Sequence, residues 1–212
     1  KGGTDYELLQ ELRENVYMFA GAKTYQETGA LQDLLFDADG KLVSQHAFKV
    51  AARTVVKEYN DTYSVAEFDT TVGQAQMAVR WKYITEQAEM LPYLRFNVNM
   101  DDRTCPICGP FHGITLPVSH SFWRKYYPLL HYRCRCTVDQ LSEFDAAKIT
   151  GEKRVKDLTD VASELMNPVF MHNSGIDKQV FTKDHPYFKE IPKADRGKAR
   201  DNFNLPMPPT DE

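Results

Sequence analysis

The sequence predicts an α+β protein, in which a helical N-terminal half packs on a small zinc-stabilised β element and an irregular C-terminal segment follows. Apolar residues recur at helical spacing as far as about residue 90. They then alternate with polar residues over positions 94–98, which is typical of a strand. All four cysteines fall between positions 105 and 136, so the β element is expected to form around them.

The N-terminal half is predicted to contain four helices. The first begins near Thr4, which can cap it, and is expected to stop at Gly21. The second covers residues 24–35 and the third covers residues 44–59. The fourth, over residues 69–90, is apolar over such a wide arc that we expect it to be central.

Three short strands are predicted around the cysteines, at residues 94–98, 114–118 and 133–138. Beyond Leu141 the patterns weaken, and only short helices at residues 142–149 and 155–166 are expected. We therefore divide the chain into a main domain over residues 1–141, with a zinc knot at 101–138, a C-terminal segment over 142–194, and an extended or disordered tail over 195–212.

Composition limits the classes of function. With a net charge of -4, the chain has no overall attraction for nucleic acid or for an anionic membrane. Its apolar runs are shorter than the roughly 20 residues that a membrane helix needs, and no signal peptide is visible at the N-terminus. The sequence begins at Lys1 rather than methionine, which indicates an expressed fragment.

The cysteines form two close pairs, Cys105–Cys108 and Cys134–Cys136. Two disulfides in a secreted protein and one metal site in a reducing compartment are both open. The bunching favours metal, because disulfides usually join distant segments. A C-x-x-C turn aims two thiolates at one point, and residues i and i+2 of a strand share a face. Four thiolates suit Zn²⁺ in tetrahedral geometry and leave no open coordination position, which indicates a structural site.

Three histidines lie near the cysteines. His131 precedes Cys134 by three positions and can replace one cysteine, most simply Cys134, to give a Cys₃His site. His112 and His120 are weaker candidates, because a lone histidine is usually a surface or hydrogen-bonding residue. The predicted metal ligands are therefore Cys105, Cys108, Cys134, Cys136 and His131.

Basic and aromatic residues crowd the same region. The basic residues are Arg103, Arg124, Lys125, Arg133 and Arg135, and the aromatic ones are Phe122, Trp123, Tyr126, Tyr127 and Tyr132. They can meet phosphate and stack on bases in a nucleic-acid-binding module. Alternatively, the arginines offset thiolate charge and the aromatic rings fill a small core beside the metal, which is the interpretation we favour.

The motif set over residues 101–138 resembles a known family, the phage Mu F-like minor head proteins, also called phage head morphogenesis proteins. The matching elements are D-D-R-T-C-P-x-C from Asp101, then H-G at His112, F-W-x-x-Y-Y-P from Phe122, and H-x-x-C-R-C-T-V from His131. The helical A-Q-x-A-x-R-W from Ala75 is also similar. Family members often carry two prolines before the histidine, whereas this chain has the single, displaced Pro128.

The resemblance implies a structural minor component of a tailed-phage or prophage head, with residues 1–141 as the head morphogenesis domain. Such a protein is not an enzyme and acts in head morphogenesis or in DNA packaging or delivery. Its expected partners are portal and capsid proteins, with DNA contact as a further option, and neither a membrane nor a small-molecule substrate is involved. Its expected location is the virion, and the bacterial host cytoplasm during assembly.

Two catalytic alternatives remain open from the residues. A zinc-knuckle nuclease of the His-Asn-His kind would use His112 or His131, but the second histidine and the asparagine are missing at catalytic spacing. A redox role for Cys105 and Cys108 lacks the βαβ context and leaves the second cysteine pair without a function.

Overall fold

Helices and a small antiparallel sheet make up the structure, a computed structural model that describes residues 4–146 and 148–207. The helices are α1 (Thr4–Asp33), α2 (Gln45–Lys57), α3 (Ser64–Glu86), α4 (Phe122–Lys125), α5 (Glu152–Leu165), α6 (Ser174–Asp177), α7 (Pro186–Lys189) and α8 (Lys193–Phe203). The strands are β1 (Tyr93–Asn97), β2 (Thr115–Pro117) and β3 (Thr137–Leu141), in sheet order β2-β1-β3. The predicted α+β class is confirmed.

The chain forms two compact units. Unit 1 contains the described residues as far as Leu12 together with residues 69–182, and it holds all four cysteines. Unit 2 contains residues 13–68 and the described residues from Lys183 onward.

The core of unit 1 lies on one face of the sheet. Strand β1 pairs antiparallel with both neighbours, Leu94 facing Leu116 and Phe96 facing Val138. These four side chains are buried, because alternate residues of a strand point to the same face. On α3, Trp81 packs edge-on against Tyr127, with ring centroids 5.0 Å apart. The Tyr127 hydroxyl also donates to the backbone carbonyl of Met77 at 3.1 Å, which satisfies a fully buried polar group.

Unit 2 is built around an aromatic cluster. Phe19 of α1 contacts His185, Tyr187 and Phe188, with ring centroids 4.8, 5.3 and 6.1 Å apart. His185 is buried and caps the N-terminus of α7. Its Nδ1 accepts a hydrogen bond from the Tyr187 backbone N–H at 3.2 Å. Aromatic packing therefore stabilises this unit in place of a sheet.

The prediction that Gly21 ends the first helix is wrong, because α1 continues to Asp33 as a single helix. Gly21 is needed for a close approach instead. A Cβ at this position would lie 2.8 Å from the ring of Pro206, closer than real side chains come. A glycine in the interior destabilises a helix by about 1 kcal/mol relative to alanine. The helix nevertheless continues through Gly21, because the contact with Pro206 leaves no space for a side chain.

Helices α2 and α3 are confirmed in outline, but α3 begins at Ser64 rather than at position 69. The difference arises because a π-helical segment, Glu58–Tyr63, continues α2 directly into α3. Ser44 caps α2, since its side chain accepts from the Ala47 N–H at 3.2 Å.

The third strand begins and ends later than the expected residues 133–138, since β3 covers Thr137–Leu141. Arg133 has a φ of 58°, in the left-handed region, so the chain turns here and pairing starts only at Thr137. The helix expected over residues 142–149 is replaced by turns around residues 143–146, and Ala147 lies outside the described residues. Helix α5 confirms the helix expected at residues 155–166 within a few residues at each end.

The tail from residue 195 was expected to be extended or disordered, but residues 195–203 belong to α8. Polar composition suggested the tail, whereas contacts within unit 2 order it. Ala199 of α8 is buried, and Asp195 accepts a hydrogen bond from the Tyr25 hydroxyl at 2.8 Å. Residues 208–212 of the predicted tail lie outside the described residues.

None of the helices in residues 4–146 and 148–207 is both long enough and apolar enough to cross a membrane.

Candidate metal centre

The first cysteine pair lies on a turn that local hydrogen bonds hold in place. The Asp101 carboxylate accepts from the Arg103 N–H at 2.9 Å, and the Thr104 hydroxyl accepts from the Asp101 N–H at 2.8 Å. The Cys108 N–H then points at Cys105 Sγ, 3.2 Å away. The short D-x-R-T-C-P-x-C sequence therefore makes its own turn and presents both sulfur atoms on one side.

The second pair follows directly after the Arg133 turn and precedes β3. Cys134 and Cys136 are buried and the intervening Arg135 side chain is partly exposed. A strand predicts this alternation, and the alternation holds although the hydrogen-bonded strand begins only at Thr137. The Cys134 N–H also bonds the His131 carbonyl at 3.2 Å, which closes the turn that carries His131.

The structure brings all five predicted ligands together. Cys105, Cys108 and His131 form one group whose donor atoms lie within 4.8 Å of one another, and Cys108, Cys134 and Cys136 form a second such group. Cys108 is common to both groups. The Sγ atoms of Cys108 and Cys134 are 3.8 Å apart. Two thiolates bound to one tetrahedral zinc ion at 2.3 Å would be about 3.8 Å apart as well, so the spacing fits that ion.

The four thiols are free, with no disulfide among them. This matters for the alternative of two disulfides, since a disulfide requires sulfur atoms about 2.05 Å apart. The 3.8 Å between Cys108 and Cys134 Sγ belongs to non-bonded sulfur atoms that face one another.

His131 is oriented as a metal-binding imidazole. Its Nδ1 lies 2.8 Å from the Tyr132 carbonyl, which accepts only if Nδ1 carries the proton. The lone pair is then on Nε2, which lies 3.2 Å from Cys105 Sγ. A backbone carbonyl that accepts from the other ring nitrogen, and so fixes the tautomer, is a common feature of histidine ligands.

The electrostatics of the thiol cluster favour a cation. Hydrogen bonds from Cys108 and then Cys136 hold the pKa of the Cys134 thiol well below its ordinary value. The hydrogen bond to Cys134 raises the pKa of Cys108 far above the ordinary value. For Cys136 a hydrogen bond from Cys108 lowers the pKa, but the bond to Cys134 and burial outweigh it and raise the pKa to about 12. One thiolate is therefore stabilised and further negative charge is resisted, unless a cation neutralises it.

His131 responds to the same charge. Its hydrogen bond with Cys134 raises the pKa of the imidazole to about 9, against the opposing effect of burial. Cys108, Cys134, Cys136 and His131 thus act as one coupled cluster, in which a bound dication would take the place of the shared protons.

An ion pair outside the cluster joins the two cysteine segments. Both guanidinium nitrogens of Arg135 donate to the Asp101 carboxylate, each at 2.6 Å. The Arg135 hydrogen bonds, followed by that of the Arg103 N–H, hold the pKa of Asp101 well below its usual range. Sequence reasoning did not identify this pair, although its members occur within the two motifs that carry the family resemblance.

The other two histidines lie outside the cluster. His112 Nδ1 accepts from the Val98 N–H at 3.3 Å, and His120 bridges Glu152 and the Phe122 N–H, each at 3.0 Å. Neither belongs to the groups of donor atoms found among the described residues. Both have the hydrogen-bonding roles that are usual for a single histidine.

The aromatic residues near the cysteines are packed inside unit 1. Phe122, Trp123, Tyr126 and Tyr127 are buried, and Tyr132 packs edge-on against Phe170 with ring centroids 4.8 Å apart. The four buried rings have no free face on which a base could stack. The packing interpretation of the aromatic cluster is therefore supported, and the nucleic-acid interpretation loses its stacking platform.

Comparison with known families decides the relationship of the chain. The family model "Phage Mu protein F like protein" matches residues 20–139, which include all five clustered ligands. The chain belongs to the Phage Mu protein F like family. The resemblance stated from the motifs is confirmed.

One curated relative in the family is the "Putative capsid assembly protein F" of Escherichia phage Mu. It is 29% identical to this chain over 75 residues, which cover 35% of this chain and 17% of the Mu protein. The match therefore spans less than a fifth of that relative's length. No solved structure gives a significant match to the chain.

Proposed function

We propose that this protein is a structural component of a tailed-phage head that acts in head morphogenesis, with a zinc ion fixing the shape of unit 1. The observation that carries the proposal is that the donor cluster lies within the part of the chain that defines its family. The residues that the family model matches include the whole donor cluster, and a relative in the family is named for capsid assembly.

Zinc is the ion that best fits the donors. Thiolates and imidazole are the ligands that Zn²⁺ prefers in tetrahedral sites, and a calcium or magnesium site would need oxygen donors. When bound, zinc would supply cross-linking of two segments rather than catalysis, because four protein ligands leave no place for water. Residues 109–133 form the loop that the ion would close.

Two ligand sets satisfy four-coordinate zinc. One contains all four cysteines, as the sequence first suggested. The other contains Cys105, Cys108, Cys134 and His131, and one contact and one pKa shift favour it. His131 Nε2 faces Cys105 Sγ at 3.2 Å, and its hydrogen bond with Cys134 is the main reason for its raised pKa. We therefore propose the Cys₃His set, with Cys136 beside it.

The proposed partners are portal and capsid proteins of the same phage, and the proposed location is the virion. The test is co-purification of this protein with the portal and major capsid proteins of the same phage. We expect a stoichiometric complex with one of them, weakened in the Cys105→Ser/Cys108→Ser variant and unchanged in His112→Ala, which lies outside the donor groups. Absence of any complex with wild-type protein would contradict the head-assembly proposal.

A second candidate, a nuclease that uses a zinc knuckle, has weaker support. His112 is held by the Val98 N–H through the nitrogen that a general base would use. The discriminating assay is incubation of wild-type protein with plasmid DNA and Mg²⁺, and we expect no cleavage.

A further inference from the structure

The outward face of α2 carries four basic side chains, from His46, Lys49, Arg53 and Lys57. All four are exposed, and the helix contains no aspartate or glutamate. Lys49, Arg53 and Lys57 follow one another at intervals of four residues, so their charges rise about 6 Å at each step along the axis. We call Lys49, Arg53 and Lys57 the basic ridge.

The opposite face of α2 is the packed one. Phe48, Ala52 and Val55 are half-buried, and they recur at the spacing of a single helical stripe. No residue of α2 is fully buried. The basic ridge therefore points away from the packing of unit 2.

The charges of the ridge are not explained by the stability of α2. None of its three members has an ion pair with any residue in the described parts of the chain. The nearest following carboxylate, on Glu58, accepts a hydrogen bond from the Tyr63 hydroxyl. Like charges four residues apart destabilise a helix, and both steps of the ridge bring such a pair together. These costs are consistent with a surface that is selected for binding.

Exposed apolar side chains accompany the ridge. Val50 and Val56 of α2 are 54% and 42% exposed. In the turn before α2, Phe36 and Leu42 pair across an isolated β-bridge and are 52% and 73% exposed. A ridge of cations beside apolar side chains is the pattern of a surface that binds an amphipathic protein segment.

We propose that α2 docks an acidic amphipathic helix of a partner protein. Carboxylates spaced four residues apart on such a helix repeat with the same 6 Å rise as the ridge. Apolar side chains on either side of those carboxylates would cover Val50 on one side of the ridge and Val56 on the other. A phosphate backbone offers no apolar surface to those valines, and the net charge of -4 gives no general attraction for nucleic acid. That this partner is a head-assembly protein rests on the proposed function. That α2 binds an acidic amphipathic helix does not depend on it.

The test uses a synthetic helical peptide about 20 residues long, with glutamate at every fourth position and leucine on both sides of the glutamate row. Binding to the full chain is measured by fluorescence anisotropy at low and high salt. The same peptide with lysine in place of glutamate and a DNA duplex of similar charge are run beside it. We expect the acidic peptide to bind, to bind more weakly at high salt, and to bind better than either competitor.

The decisive variant is Lys49→Ala/Arg53→Ala/Lys57→Ala, because alanine preserves the helix. We expect it to weaken peptide binding about tenfold, which is the sum of three modest exposed ion pairs. The matched control is Lys153→Ala/Lys156→Ala on α5, whose lysines are exposed and pair with Asp157 and Asp160. The control is expected to bind like wild type, and circular dichroism confirms that both variants are helical.

Three results would overturn the proposal: no binding of the acidic peptide, equal binding by the ridge variant, or tighter binding of the DNA duplex through the same three residues. Zinc content and the portal and capsid complexes are measured separately. Failure of the peptide assay would therefore reject the α2 surface alone, and failure of those measurements would reject the proposed function alone.

Discussion

Arg135 and Asp101 form a two-pronged ion pair, with both guanidinium–carboxylate distances at 2.6 Å. Asp101 starts the turn that presents Cys105 and Cys108, and Arg135 stands between Cys134 and Cys136. The pair therefore joins the two segments that supply the donors. A bidentate geometry of this kind fixes orientation as well as distance.

Breaking this ion pair should loosen the donor cluster. We predict that Asp101→Asn and Arg135→Gln each lower zinc affinity, and that the double variant loses little more than either single one, because the two residues act through one contact. A competition titration with a chelator measures the affinities. Asp157→Asn, which breaks an exposed pair with Lys153 far from the cysteines in sequence, is the control and should have no effect. Additive losses would mean that the two residues act independently.

The Asp101 carboxylate also predicts a pH dependence of stability. Its pKa is lowered in the folded protein, so its contribution is fully present above the ordinary pKa of a carboxyl group and is lost as the pH falls below that value. In Arg135→Gln, the free energy of unfolding should therefore fall less steeply as the pH decreases through this range. Denaturant unfolding at a series of pH values measures it for both proteins. Both proteins are measured with excess chelator, because Arg135→Gln also weakens zinc binding and the loss of zinc at low pH would otherwise differ between them.

Much of the fold follows from the sequence, because periodicity reports directly on local structure. Helices α2 and α5, strand β1 and the Cys-x-x-Cys turn all lie close to their predicted positions. The convergence of both cysteine pairs with His131 was also predicted, since a turn and an alternating segment each aim two side chains at one side.

The predictions that the structure overturns have a common cause. In each case a contact between residues far apart in the sequence determines the local structure. Gly21 continues α1 because Pro206 packs against it, and α8 forms because Ala199 is buried. The Asp101–Arg135 pair links positions 34 residues apart, a distance at which no local pattern identifies a partner. Local sequence carries no direct record of such contacts.

The ligand set gives a sharp prediction through two variants. If zinc is held by Cys105, Cys108, Cys134 and His131, His131→Ala should weaken zinc binding by at least about tenfold, and Cys136→Ser should weaken it much less. Competition with a chelator gives the affinities, and X-ray absorption gives the number of sulfur and nitrogen ligands. His120→Ala is the control, since His120 contacts Glu152 instead. The reverse order of effects would establish the four-cysteine set.

Gly175 predicts a test of packing in unit 1. A Cβ at this position would lie 2.3 Å from the Trp81 Cβ, so one of the two backbone segments would have to shift. Gly175→Ala should therefore destabilise the protein by about 2 kcal/mol, a typical cost of overpacking. Gly29→Ala is the matched control, because it meets nothing within 4 Å on α1 and should be neutral or stabilising by up to about 1 kcal/mol. Chemical denaturation measures both. Equal stability of the two variants would contradict the Trp81 contact.

His185 predicts a pH dependence of stability in unit 2. Burial lowers its pKa to about 4, so the folded protein holds the neutral imidazole while the unfolded chain takes up a proton at about pH 6.5. The contribution is present above pH 6.5 and is lost as the pH falls towards 4, by up to about 3 kcal/mol. His185→Asn keeps a cap for α7 and should show a flatter curve over that range. The free energy of unfolding is measured against pH for both proteins. An equal dependence on pH in the two would contradict the lowered pKa of a buried His185.

The central claim is that a structural zinc ion holds the two cysteine segments together. The most direct measurement is elemental analysis of purified wild-type protein and of Cys108→Ser, combined with thermal melting. We predict about one zinc per wild-type chain, none in the variant, and a loss of at least about 3 kcal/mol in stability, because metal binding and folding are linked. A folded wild-type chain without metal, melting at the same temperature as Cys108→Ser, would contradict the claim.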